Sequence, residues 1–310
     1  MDAINAALVE EMEVDEAVIV MGVDVGRGGG AYGVTRGLFD RFGDDRVLDT
    51  PIAEAGVLGA AVGAAMAGDR PVAEIMYMDF IAVCLDPIVN QAAKLRYMTG
   101  GGVTVPVVFR TQTGGGRSGG AQHSQSLEGI LAHIPGLHVY CPGDARDAHD
   151  LLVAAIRADH PACFVENRRL YGKRTGEWDR EPLPPGRART LRAGDDLTIV
   201  TWGRMVQETA AALEQLDDVA ADLIDLRTLV PLDVEAIVES VARTGRCLVV
   251  HEAVQRFGPG GEVVAKIAEH VLFDLDGPLM RVGALPSPVP YSPGLEAAML
   301  PGQDRIAAAI

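Results

Sequence analysis

The sequence predicts an α/β protein of two domains, each a parallel sheet covered by helices. Short β-rich runs alternate with helical patterns in both halves, the arrangement that produces parallel sheets with helices on both faces. A charged stretch rich in Pro and Gly interrupts that alternation near the middle of the chain. At 310 residues and 48% hydrophobic content, the chain has more apolar material than one core usually holds.

In the first half AVIVMG (17–22) reads as a strand, and RVLDT (46–50) as a short strand before a helix over 54–67. PVAEIMY (71–77) is a strand, and IAVCLDPIVNQAAKLRYM (81–98) repeats apolar residues at helical spacing. VTVPVVFRT (103–111) is a strand interrupted by Pro106. A glycine loop and a helix over 125–133 follow it. HVYC (138–141), a helix over 144–158 and ACFVEN (162–167) complete the series. The second half repeats the logic with strands LTIVTW (197–202), VAADLIDL (219–226), CLVVHE (247–252) and LMRVG (279–283). Helices are expected over 205–217, 233–243 and 261–273, and LPSPVPYSP (285–293) should run extended before a short helix after Pro301. The domains are therefore expected at 1–172 and 197–310, with a linker over 173–196.

A net charge of −16 disfavours nucleic acid and anionic membrane as partners, since both select clustered Lys and Arg. No apolar run reaches the roughly 18–20 residues a membrane helix needs. The start, MDAINAALVEEMEVDE, is acidic, opposite to a signal peptide, so the chain reads as cytoplasmic. Cys84, Cys141, Cys163 and Cys247 lack CxxC spacing and read as buried free thiols. The histidines form neither HxH nor HExxH, and Asp24, Arg27, Asp79 and Asp86 have no ligand spacing, so no metal ligands are expected.

Four features could carry chemistry. Glu54, in TPIAEAG, sits at the mouth of an uncharged small-residue segment. It is either a helix-start carboxylate favoured by the dipole or a partly dry acid of raised pKa, able to share a proton with a heterocycle nitrogen. In GGGRSGGAQHSQS (114–126), glycines let a backbone approach a ligand, but no Lys-Ser/Thr pair closes the loop and the spacing is not GxGxxG. His123 ends that loop; with Ser124 and Ser126 as cap candidates, a helix start would favour a neutral imidazole suited to proton transfer. In MYMDF (76–80), Met76 and Phe80 lie at a strand end, where an aromatic can stack on a planar ring or simply fill core.

The motifs VDVGRGGGAYGVTRGL, RVLDTPIAEAGVLGAAVGAAMAG, RPVAEIMYMDF, DPIVNQAAKLRYMTGG, VPVVFRTQTGGG, AQHSQS and HIPGL occur in order, followed by IVTWGRMV, DLRTLVPLD, VVHEA and VPYSP. This chain resembles, over nearly its whole length, the beta subunit of the first component of thiamine-diphosphate-dependent 2-oxo acid dehydrogenases: the pyruvate, branched-chain 2-oxo acid and acetoin enzymes. The resemblance implies a pyrimidine-binding domain of the thiamine-diphosphate fold followed by a smaller transketolase C-terminal-like domain. It implies that Glu54 bonds N1′ of the cofactor's aminopyrimidine, that Phe80 stacks on that ring and Met76 lines its pocket. His123 would stand near the thiazolium and the incoming lipoyl group. The expected reaction is oxidative decarboxylation of a 2-oxo acid, pyruvate foremost, with acyl transfer to lipoamide. The family's diphosphate–magnesium motif begins with GDG, absent here. The resemblance therefore implies an alpha chain holding Mg²⁺, two alpha with two beta chains, and an acyltransferase core as further partner. It allows K⁺ on main-chain carbonyls around residues 155–160. Many relatives carry Glu where this chain has Val23, which puts proton communication between paired sites in doubt. A non-catalytic scaffold is the competing reading, and retention of Glu54, Phe80 and His123 argues against it.

Overall fold

A computed structural model describes residues 1–174 and 178–310. The chain runs α1 (Asp2–Val14), β1 (Val18–Gly22), α2 (Leu38–Phe42), β2 (Val47–Asp49), α3 (Glu54–Ala67) and β3 (Arg70–Ile75). A 3-10 turn (Met78–Cys84), a π turn (Pro87–Ala92) and α4 (Ala93–Met98) lead into β4 (Val108–Thr113), α5 (Glu128–Ala132), β5 (His138–Tyr140), α6 (Ala145–Arg157) and β6 (Ala162–Asn167). The second half holds β7 (Arg189–Arg192), β8 (Leu197–Thr201), α7 (Arg204–Leu213), β9 (Ala221–Asp225), β10 (Thr228–Val230) and α8 (Val234–Thr244). After these come β11 (Cys247–Val254), α9 (Gly260–Val271), β12 (Met280–Ala284), α10 (Pro293–Met299) and α11 (Gln303–Ala307).

The strands form a seven-stranded sheet, β10-β5-β6-β4-β3-β1-β2, and a five-stranded one, β12-β11-β8-β9-β7. All neighbours are parallel except at two edges, where β10 pairs antiparallel with β5 and β7 with β9. The predicted α/β architecture is present. Strands β1, β4 and β6 are buried at every residue, as sheets covered on both faces require.

Local departures from the expected elements have physical causes. The helix expected over 81–98 is broken, because Pro87 lacks an amide hydrogen and clashes with the carbonyl a turn earlier. Pro106 likewise delays pairing, so β4 starts at Val108. The stretch read as a linker contains β7, whose Arg-rich sequence suits a solvent-facing edge. Part of that stretch, residues 175–177, lies outside the described residues. Strand β10, three residues from the second half, extends the first sheet. The tail coils into α10 at Pro293, which suits a first helical position.

The two sheets are joined by buried polar contacts. Asp147 on α6 forms ion pairs with Arg227 (Nε at 2.8 Å) and Arg180 (Nη2 at 2.9 Å). Trp202 beyond β8 donates its indole N–H to Glu128 on α5 at 3.3 Å. All four cysteines are buried free thiols. Among the described residues no helix is long and apolar enough to cross a membrane.

Candidate functional site

Strands β1 and β3 end in register, Gly22 beside Glu74, and α3 starts beyond β2. These chain ends frame a cavity of about 110 Å³. Such clefts outside the carboxyl ends of parallel strands are where open α/β sheets bind ligands. Glu54, Met76 and Phe80 line it, as do Val23, Glu74 and Tyr77. Three of the four site residues singled out in the sequence thus share one cavity. Glu54 is the first residue of α3, half-buried, where the helix dipole favours a carboxylate. Burial and, secondarily, the charge of Glu54 push the thiol of nearby Cys84 up to about 12, so it stays neutral. Val23 leaves this side of the cavity apolar.

His123 does not line the cavity but reaches its lip. Its ring meets Phe80 edge-on at 5.4 Å and Tyr77 edge-on at 4.8 Å. The helix-cap setting expected for it is not realised. Helix α5 starts only at Glu128 with Leu127 as its cap residue; Ser126 instead receives the Thr113 hydroxyl, and the Ser124 hydroxyl has no partner. The glycine loop is not free to hold an anion either. Gly115 N–H donates to Glu252 at 2.7 Å and Ser118 N–H to Glu296 at 2.9 Å, so carboxylates of the second half occupy the donors a phosphate would need. At Gly120, with φ of +73°, the ring of Tyr291 fills the space a side chain would take.

A buried network behind the cavity was missed in the sequence. Arg110 on β4 is fully buried and binds Glu166 through both Nε (2.7 Å) and Nη2 (3.0 Å), and Glu74 through Nη1 (2.9 Å). Gln112 Nε2 donates to the other oxygen of Glu74 at 3.2 Å, and Gln112 Oε1 accepts from Tyr77 N–H at 3.2 Å. Tyr171 donates to Glu166. Burial lowers the pKa of Arg110, but the charges of Glu166 and Glu74 more than reverse this, so the guanidinium stays charged. Burial pushes Glu74 above the usual carboxylate range despite Arg110. Tyr77 has φ of +67°, uncommon for a bulky residue, and the Arg168 guanidinium lies 5.0 Å over its ring. Arg168 also donates to the carbonyls of Gly114 and His123. The available signal was one ionisable residue in each of three otherwise apolar strand runs: Glu74, Arg110 and Glu166.

A transketolase pyrimidine-binding domain model matches residues 1–174, and a transketolase C-terminal domain model matches 186–306. The chain is 44% identical to the 2-oxoisovalerate dehydrogenase beta subunit of Bacillus subtilis, covering 100% of this chain and 96% of that one. The chain belongs to the family of 2-oxo acid and acetoin dehydrogenase beta subunits. Within this beta-subunit family it is also 44% identical to the beta subunit of acetoin:2,6-dichlorophenolindophenol oxidoreductase from Cupriavidus necator (99% and 94% covered). Identity is 41% to the pyruvate dehydrogenase E1 beta subunit of Staphylococcus aureus (98% and 94% covered). Among solved structures, a split-gene transketolase described as an inactive beta4 tetramer has the same fold, with a TM-score of 0.82 at 23% identity over 99% of this chain and 95% of that one.

Near the main-chain carbonyls of residues 155–160, where the resemblance allowed K⁺, a protein cation is present. Arg70 Nη1 donates to the carbonyls of Ile156 and Ala158, both at 3.0 Å, and Nη2 to Asp159 at 2.9 Å. A K⁺ ion there would have to share these oxygens with a guanidinium.

Proposed function

We propose that this chain is the beta subunit of a thiamine-diphosphate-dependent 2-oxo acid dehydrogenase that decarboxylates pyruvate and passes the acyl group to lipoamide. The carrying observation is Glu54 at the head of α3, in one cavity with Met76 and Phe80. That donor set fits an aminopyrimidine: an apolar slot, a ring for edge or face contact, and a carboxyl able to exchange a proton with a ring nitrogen. Bound there, thiamine diphosphate supplies the electron sink for losing CO₂ from a 2-oxo acid. Glu54 holds and returns a proton at N1′, Phe80 and Met76 orient the pyrimidine, and His123 moves or holds a proton at the acyl-transfer side.

Among the described residues we find no counterpart for the diphosphate. The loop donors at Gly115 and Ser118 are engaged internally, and no cluster of three or more His, Cys, Asp or Glu that could hold a metal occurs among the described residues. An alpha chain therefore carries the diphosphate and Mg²⁺, in an assembly of two alpha and two beta chains that docks on an acyltransferase core in the cytoplasm. Calorimetry tests this: the isolated chain should bind thiamine diphosphate poorly, and the mixture with its alpha chain and Mg²⁺ tightly. Tight binding by the isolated chain would contradict the divided site. Glu54→Gln should largely stop exchange of the cofactor's C2 proton with no change in melting; near-normal exchange would remove Glu54 from its role. An acetoin-cleaving function is the second reading, favoured by 44% identity to the Cupriavidus protein, equal to that with the Bacillus one.

A further inference from the structure

Tyr77 lies where the cavity opens toward His123. Its backbone combines φ of +67° with ψ of 128°, a conformation unfavourable for a bulky residue that persists only where the surroundings impose it. Two such constraints exist. Gln112, itself anchored through Glu74 to Arg110, accepts the Tyr77 N–H. Arg168, buried and tied to the carbonyls of Gly114 and His123, covers the ring. The ring consequently stands edge-on to His123 at 4.8 Å and to Phe80 at 6.0 Å, with Tyr32 edge-on at 6.3 Å on its far side. Phe80 and His123 are themselves edge-on at 5.4 Å, so the three rings pack edge to edge beside the pyrimidine slot.

We infer that Tyr77 is a specificity-determining residue: its fixed ring narrows the space beside His123 and restricts the reaction to 2-oxo acids with a short, unbranched side chain. This rests on the function proposed above and names its substrate class. A rigid wall discriminates because the added methyl groups of a branched side chain meet a ring that cannot retreat. One added methylene in such a pocket changes kcat/KM by roughly 10–200-fold.

The test uses the reconstituted alpha–beta pair with pyruvate and 3-methyl-2-oxobutanoate. Tyr77→Ala and Tyr77→Gly both remove the ring, and Gly tolerates the positive φ. Both should shift the kcat/KM ratio toward the branched substrate by about 10-fold or more. Tyr77→Phe should keep the wild-type ratio, and all four proteins are assayed at saturating thiamine diphosphate, with calorimetry reporting any change in its affinity, because Tyr77 also lines the pyrimidine cavity. An unchanged ratio in both truncations, or a loss of cofactor affinity that accounts for the rate changes, overturns the role of Tyr77 alone. A wild-type pair that turns over neither 2-oxo acid overturns the proposed function and this inference together.

Discussion

Replacing Glu128 by Gln should change how stability depends on pH. Glu128 opens α5 at the junction of the two halves and is buried. Its Oε1 accepts only the Trp202 indole N–H among side-chain donors, and its Oε2 has no partner. Burial raises its pKa from the ordinary 4.5 to about 7, with Glu252 nearby adding a smaller push. Between those values the folded chain binds a proton that the unfolded chain has released, so stability falls as pH rises through this window. The contribution is complete below pH 4.5 and gone once pH passes about 7. At about 1.4 kcal/mol for each pH unit between the two values, the loss amounts to about 3 kcal/mol. Glu128→Gln keeps the shape and the indole acceptor but cannot ionise. Urea unfolding of both proteins across this pH range should show the variant gaining up to about 3 kcal/mol on the wild type at the alkaline end relative to the acid end. A constant difference between the two proteins over that range would refute the reasoning.

The Arg110 network and His123 give two further tests. Arg110→Met leaves Glu74 and Glu166 buried without their cation and should cost about 3–5 kcal/mol in urea unfolding, whereas Glu74→Gln keeps the Arg110–Glu166 pair and should cost less. His123→Ala in the reconstituted pair should slow acyl transfer to lipoamide more than decarboxylation, measured by single-turnover assays with and without lipoamide. Equal loss in both would leave His123 only a positioning residue.

The parallel sheets were legible because covered strands such as AVIVMG are apolar without interruption, and the helix over 54–67 is found with those bounds. Strands β7 and β10 were not legible: they pair through backbone groups contributed by distant segments, and neither has an apolar run of its own. The shared cavity of Glu54, Met76 and Phe80 was implied by the family resemblance those motifs carry. The surroundings of His123 did not, because the placement of its loop depends on Glu252 and Glu296, more than a hundred residues away. Tyr77 stood inside a quoted motif, yet its importance comes from a backbone angle and from Gln112 and Arg168, which spacing along a strand cannot reveal.

Helix α3 buries Val57, Leu58 and Ala61 on one flank and leaves Gly56, Gly59, Ala60 and Gly63 bare on the other, with nothing of this chain within 4 Å of where side chains on Gly59 and Gly63 would sit. The acid that heads this helix is consequently still in touch with bulk solvent. Dilution, by stripping away whatever rests on that glycine flank, would silence the chemistry while every residue of this chain stayed in place.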